Sequence, residues 1–238
     1  MHTRHAWLQR SAAWSNGTPK TVDAPWVGPA AIGIALGLML LWSWGKWPDV
    51  LIDFGRELYV PWQLSLGKVL YRDIAYFNGP LSPYLNALWF RVFGVGLQTL
   101  VWCNLALLVI LTGLLYRLAR YLSDPFSATI AGLIFVTLFA SSQYVISGNY
   151  NYLCPYSHEA THGMLLSLAA FNALIAYQRR PRAWLLMLAG SAVGGVFLTK
   201  AELFLAAACG LMAWLALTLW RESQGWARRL RMVLTVLG

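Results

Sequence analysis

Residues 97–118 read LQTLVWCNLALLVILTGLLYRL, and twenty residues pass before the first charge, Arg117. About 20 mostly apolar residues suffice to carry an α-helix across roughly 30 Å of hydrocarbon. The stretch therefore predicts a membrane-spanning helix. Five further stretches, 26–44, 126–147, 163–177, 183–199 and 203–220, have the same character, although the fourth and fifth spans in chain order, 163–177 and 183–199, are short. A further apolar run starts at Met232 and stops at Gly238, which reads as a seventh span cut short. The expectation is an all-α, polytopic transmembrane helix bundle of about six spans plus a truncated seventh, the front part of a longer chain.

Composition points the same way. The 238 residues are 58% apolar and only 11% charged, against about 25% charged in ordinary soluble domains. Mean hydropathy is +0.54. Cys103, Cys154 and Cys209 lie far apart without C-x-x-C spacing, so neither a disulfide framework nor a zinc ribbon is expected.

The segment 81–93 (LSPYLNALWFRVF) is apolar but short, and charge topology decides how to read it. If it lies flat in the interface, segments 1–25, 116–125, 178–182 and 221–231 fall inside, and 45–96, 148–162 and 200–202 outside. Twelve of the 18 Lys and Arg are then inside with three acids, while six bases balance six acids outside. The whole net charge of +9 becomes cytoplasmic, as the positive-inside tendency requires. A crossing at 81–93 would put Arg179, Arg180 and Arg182 outside. The basic balance is therefore topology and contact with anionic membrane lipids, and nucleic acid is not an expected partner. Residues 1–25 form a polar cytoplasmic tail, 26–238 the membrane domain, and 45–96 an outer loop with interfacial helices. The first span reads as an uncleaved signal anchor.

Polar chemistry gathers in the outer segments. In 45–96, Phe54, Leu58 and Trp62 recur at helical spacing, which predicts an amphipathic interfacial helix. Asp53 and Glu57 are i, i+4 on it, with Arg56 beside them. Asp53 follows Val50-Leu51-Ile52 at the end of the first span, where a carboxylate is costly unless paired or facing water. Many of the remaining charges in this loop have a plainer reading as solvated groups on an interfacial helix. In 148–162, His158-Glu159-Ala160-Thr161-His162 is a literal HExxH, the zincin arrangement when helical. A zincin needs a third ligand, and after Glu202 the chain offers only Glu222, on the cytoplasmic side. Phosphate or metal contact and simple loop polarity are equally open for these residues. Lys200 and Glu202 lie between two spans with almost no loop, and ionisable groups there mark a site by default, a mutual ion pair being the alternative.

Asp53-Phe-Gly-Arg56-Glu57, then Gly67-Lys-Val-Leu-Tyr71-Arg72-Asp73-Ile74, Gly79-Pro80-Leu81, Phe93-Gly94 and Leu198-Thr199-Lys200 resemble the membrane-embedded GT-C glycosyltransferases. The resemblance is to the family 39 or protein-mannosyltransferase-like branch, which includes aminoarabinose transferases, and covers about residues 30 to 220. It implies a polyprenyl-phosphate sugar donor entering from the bilayer and a lipid, glycan or protein acceptor at the outer face of a bacterial-type plasma membrane. It implies Asp53 as catalytic base. The second acid that relatives carry in the next outer loop maps to Glu159, the only acid there. Some relatives bind a divalent metal (Mg, Mn or Zn), for which His158 and His162 are the candidates. These enzymes normally have more spans and often a soluble C-terminal domain.

An inverting transfer needs a carboxylate to take the acceptor proton and cations to stabilise the departing phosphate. Asp53 and Glu159 supply the first; Arg56, Arg72 and Lys200 supply the second, with Glu57 and Glu202 beside them. Two other readings stay open: a membrane zinc metalloprotease built on HExxH, and a non-catalytic membrane module.

Overall fold

The computed structural model describes residues 24–46, 54–145, 148–221 and 234–235. Within them the chain is all-α, in eight helices: α1 Val27–Ser43, α2 Gly55–Ser65, α3 Leu81–Phe93, α4 Leu97–Leu122, α5 Pro125–Ile134, α6 His158–Arg179, α7 Ala183–Phe197 and α8 Ala201–Arg221. A π-helical turn, Phe135–Phe139, continues α5. Among the described residues, three helices are long and apolar enough to cross a membrane: Leu97–Leu122, His158–Arg179 and Ala201–Trp220. Val27–Ser43, Pro125–Phe139 and Ala183–Phe197 are shorter apolar helices. Asp53 and nearly all of the apolar run from Met232 lie outside the described residues.

Local chemistry sets the helix ends. Asp124 caps α5 by accepting from the amides of Phe126 and Ser127, with Pro125 in the first turn. Pro80 precedes α3, and Gly94 ends it at φ 90°, a conformation open to glycine. The helix expected from Asp53 onward occurs as α2, and of Phe54, Leu58 and Trp62 only Phe54 is buried. Phe54 is buried, yet Trp62 is exposed, and Glu57, Val60 and Leu64 point inward. Two span boundaries also differ. The span expected over 126–147 leaves helical geometry after Phe139, where the Ala140 amide reaches back to the Phe135 carbonyl and the Gln143 amide turns to Tyr150. The short span expected at 163–177 is a full helix of 22 residues, because it starts five residues earlier, at His158.

Helix α6 is the hub, packing on α3, α4, α7 and α8, while α1 and α4 pack on α5. Its largest apolar contact runs through Ala173, Leu174, Leu186, Ala189, Val193 and Leu211. A second cluster, Phe54, Phe90, Leu100, Val101 and Cys154, ties α3 and the residue before α2 to α4.

The bundle has two unlike ends. At one, the Tyr121 hydroxyl bonds Gln178 at 3.1 Å and the Arg179 guanidinium lies 4.9 Å from the Tyr121 ring, joining 116–125 to 178–182. At the other, the Gly79 amide donates to the Thr199 carbonyl at 2.8 Å and the Leu81 amide to the Leu198 carbonyl at 2.9 Å. A Cβ on Gly79 would overlap the Leu198 carbonyl, so only glycine permits this approach. The described part of 45–96 and the turn just before Lys200 therefore meet at one end. Segment 148–162 joins them there.

Candidate active site

The first turn of α6 carries its polar residues into a buried position. Asn104, two turns into α4, directs one amide hydrogen at the Leu153 carbonyl (2.9 Å) and the other at His158 Nε2 (3.0 Å). The Leu153 oxygen can only accept, which fixes the orientation of the amide. Nε2 therefore accepts, and Nδ1 carries the proton that it donates to Glu57 Oε2 at 2.6 Å. The backbone amide of His158 reaches the same oxygen at 3.3 Å. Glu57 Oε1 accepts from Arg56 Nη2 at 2.6 Å and Nε at 3.0 Å. Burial alone would raise the Glu57 carboxyl, but the hydrogen bonds from His158 and Arg56 outweigh it and hold the group below its usual range.

Arg56 is where this buried set meets the outside. Its side chain is 33% exposed, against 4% for Glu57. Nη2 also reaches the Tyr156 carbonyl at 3.2 Å, and the guanidinium lies over Phe77 (5.0 Å) and Tyr76 (5.8 Å). Such stacking suits Arg, whose planar fork can hold a carboxylate on one edge and present another.

Glu159 is buried beside this set. Its Oε2 accepts from Ser157 Oγ at 2.8 Å, while Oε1 has no partner among the described residues. It lies within electrostatic range of Glu57, Arg56 and Lys200. His162 Nδ1 bonds Ser82 Oγ at 2.9 Å, and Nε2 is buried with no partner among the described residues. Tyr150 donates to the Ser157 carbonyl at 2.9 Å, so the Thr161 hydroxyl donates to Tyr150 at 2.7 Å. Burial pushes the Tyr150 hydroxyl up, keeping it a neutral donor.

Of the residues singled out in the sequence, Arg56, Glu57 and His158 are in direct contact, and Glu159 and Lys200 share their surroundings. Arg72 is instead spent on Asp73 through two bonds of 2.9 Å. That pairing, with the Val69 amide, lowers the Asp73 carboxyl to about 2. Glu202 is exposed on the first turn of α8, and no ion pair joins it to Lys200 among the described residues. Asp53 lies outside those residues; Phe54, which follows it, is fully buried against α3 and α4. The sequence reading missed Asn104, Ser82 and Tyr150. For Asn104 a signal existed, since an amide inside an apolar span calls for a partner.

The HExxH does not fit a zincin centre. His158 commits both ring nitrogens to protein partners, leaving no lone pair for a metal. Among the described residues no group of three or more His, Cys, Asp or Glu is arranged to hold a metal ion.

A helical membrane protein with buried acids, a half-exposed arginine and a lysine at one end of its bundle defines a class: an integral membrane protein with an ionisable site at the end of its helices. Residues 78–237 match the family model described as dolichyl-phosphate-mannose-protein mannosyltransferase, and the chain belongs to that family. No curated protein and no solved structure matches it. Membership implies glycosyl transfer from a lipid-linked sugar phosphate. The matched region contains Asn104, His158, Glu159, His162 and Lys200; Arg56 and Glu57 precede it.

Proposed function

We propose that this chain takes part in an inverting transfer of a sugar from a polyprenyl-phosphate donor to an acceptor hydroxyl at the extracytoplasmic membrane face, with its N-terminus in the cytoplasm. The observation that carries this reading is the meeting of Arg56, Glu57, His158, Glu159 and Lys200 at one bundle end, in a member of a lipid-linked sugar transferase family. Asp53 acts as base, taking the acceptor proton as the anomeric carbon is attacked, and Glu159 is the second acid. Arg56 and Lys200 stabilise the charge that grows on the departing phosphate. Arg72 assists only by leaving Asp73.

What supports the role of Asp53 is its place in the sequence, directly before Phe54, which is buried at the same end as Arg56. The test is Asp53→Asn in membranes supplied with polyprenyl-phosphate sugars. Transfer should be abolished while expression and thermal stability stay at wild-type levels. Full activity in that variant removes Asp53 from the mechanism.

A further inference from the structure

We propose that Asn104 is a positioning residue that acts through His158 and Glu57 to hold Arg56 toward the phosphate of the lipid donor. The proposal rests on the transferase reading for the identity of the ligand, but not for the existence of the chain of contacts.

Every link in that chain runs one way. The Leu153 carbonyl anchors the Asn104 amide, so its second N–H must point at His158 Nε2. The ring proton then sits on Nδ1, where only the Glu57 carboxylate faces it at 2.6 Å. With Oε2 filled by the ring and the His158 amide, Oε1 is left to Arg56. Asn104, Glu57 and His158 are all buried, whereas Arg56 is a third exposed. The order in the dry interior thus ends on one guanidinium at the edge, pressed on its face by Phe77 and Tyr76. Nη1 makes no hydrogen bond to any described residue and is the edge free for a phosphate oxygen.

Stability alone does not account for this arrangement. A buried ion pair is seldom more stabilising than apolar side chains of similar volume. An asparagine inside a long apolar helix is likewise not needed for packing. What the set does achieve is a single permitted orientation for Arg56.

Asn104→Asp reverses the first link without changing its size. A carboxylate facing Nε2 needs a proton there. The ring must then either withdraw its proton from Glu57 or carry both and compete with Arg56 for that carboxylate. Asn104→Leu removes the donor without making this demand. Binding of undecaprenyl phosphate to the full chain in detergent, followed by tryptophan fluorescence, is the probe. Asn104→Asp should weaken it by about tenfold, Asn104→Leu by less, and Arg56→Ala by at least as much as Asn104→Asp. Equal losses in the two Asn104 variants, or none in either, would overturn the proposal.

A second measurement reads the ring in the wild-type protein and uses a variant only to assign its signal. In protein labelled with ¹⁵N-histidine, with His158 assigned by His158→Asn, Nε2 should report as unprotonated and Nδ1 as protonated. A proton on Nε2 overturns the chain of contacts. Wild-type protein that does not bind undecaprenyl phosphate overturns the transferase reading instead, and the ring-proton assignment then decides the contacts alone.

Discussion

Glu57 is the residue whose removal the structure predicts most sharply. Its two oxygens accept from the His158 ring, the His158 amide and the Arg56 fork, and the residue is only 4% exposed. Glu57→Ala leaves the buried His158 Nδ1–H without an acceptor and the Arg56 charge without its partner. Breaking a buried pair in this way costs about 3–5 kcal/mol. Arg56 is one-third exposed and regains some hydration, so the lower end, about 3 kcal/mol, is expected. For a chain of this size that corresponds to a fall in Tm of about 6–12 °C. Glu57→Gln keeps one acceptor oxygen and should lose about 2 kcal/mol. The pH dependence has a definite sign. The folded carboxyl lies below its reference value of 4.5, so its contribution is complete above that pH. It is lost as pH falls from there through the folded value. Thermal unfolding of detergent-solubilised protein between pH 3 and 7 measures both effects. The wild-type Tm should fall toward that of Glu57→Gln in acid, and the variant should be flatter. An Ala variant within about 2 °C of wild type at pH 7 would refute the reasoning, because His158 and Arg56 would then have other partners.

Two further outcomes follow from the architecture. Gly79→Ala should lower Tm and weaken undecaprenyl phosphate binding together, because a Cβ would push the 79–81 backbone off the Leu198 and Thr199 carbonyls that adjoin Lys200; a silent substitution would show that this contact does not hold the end together. In a background without native cysteines, Lys68→Cys should react with a membrane-impermeant maleimide in intact cells and Arg180→Cys only after permeabilisation. The opposite pattern would invert the proposed topology.

Much of the fold was legible because hydropathy counts over long windows. The stretch 97–118 needed only its composition, and 81–93 was bounded by Pro80 and Gly94, so α3 has the expected limits. Window averages fail where a few polar residues behave differently from their type. His158 through His162 look like loop, yet they form the first turns of α6. Glu57 is buried on α2 because His158 on α6 and the neighbouring Arg56 satisfy its carboxylate, which outweighs its polarity. Asn104 shows in the sequence only as an amide inside an apolar span, which calls for a partner without naming it. Its importance depends on Leu153 and His158, 49 and 54 residues away along the chain. No local pattern encodes that.

Hydrogen-bond occupancy also sorts the carboxylates by what each is free to do. A base must offer a lone pair to the proton it takes, and both Glu57 oxygens are already occupied by His158 and Arg56. Accepting a substrate proton there would mean surrendering the contact that orients Arg56, so Glu57 belongs to the support of the site. Asp73 is spent in the same way, on Arg72 and the Val69 amide at the exposed turn. Glu159 differs, since Ser157 uses only Oε2 and Oε1 meets no donor among the described residues. A buried carboxylate oxygen without a partner is expensive to keep unless something completes it during the working cycle. On the proposed mechanism, giving the acceptor proton to Asp53 and a second polar contact with the substrates to Glu159 leaves the Glu57 clamp intact.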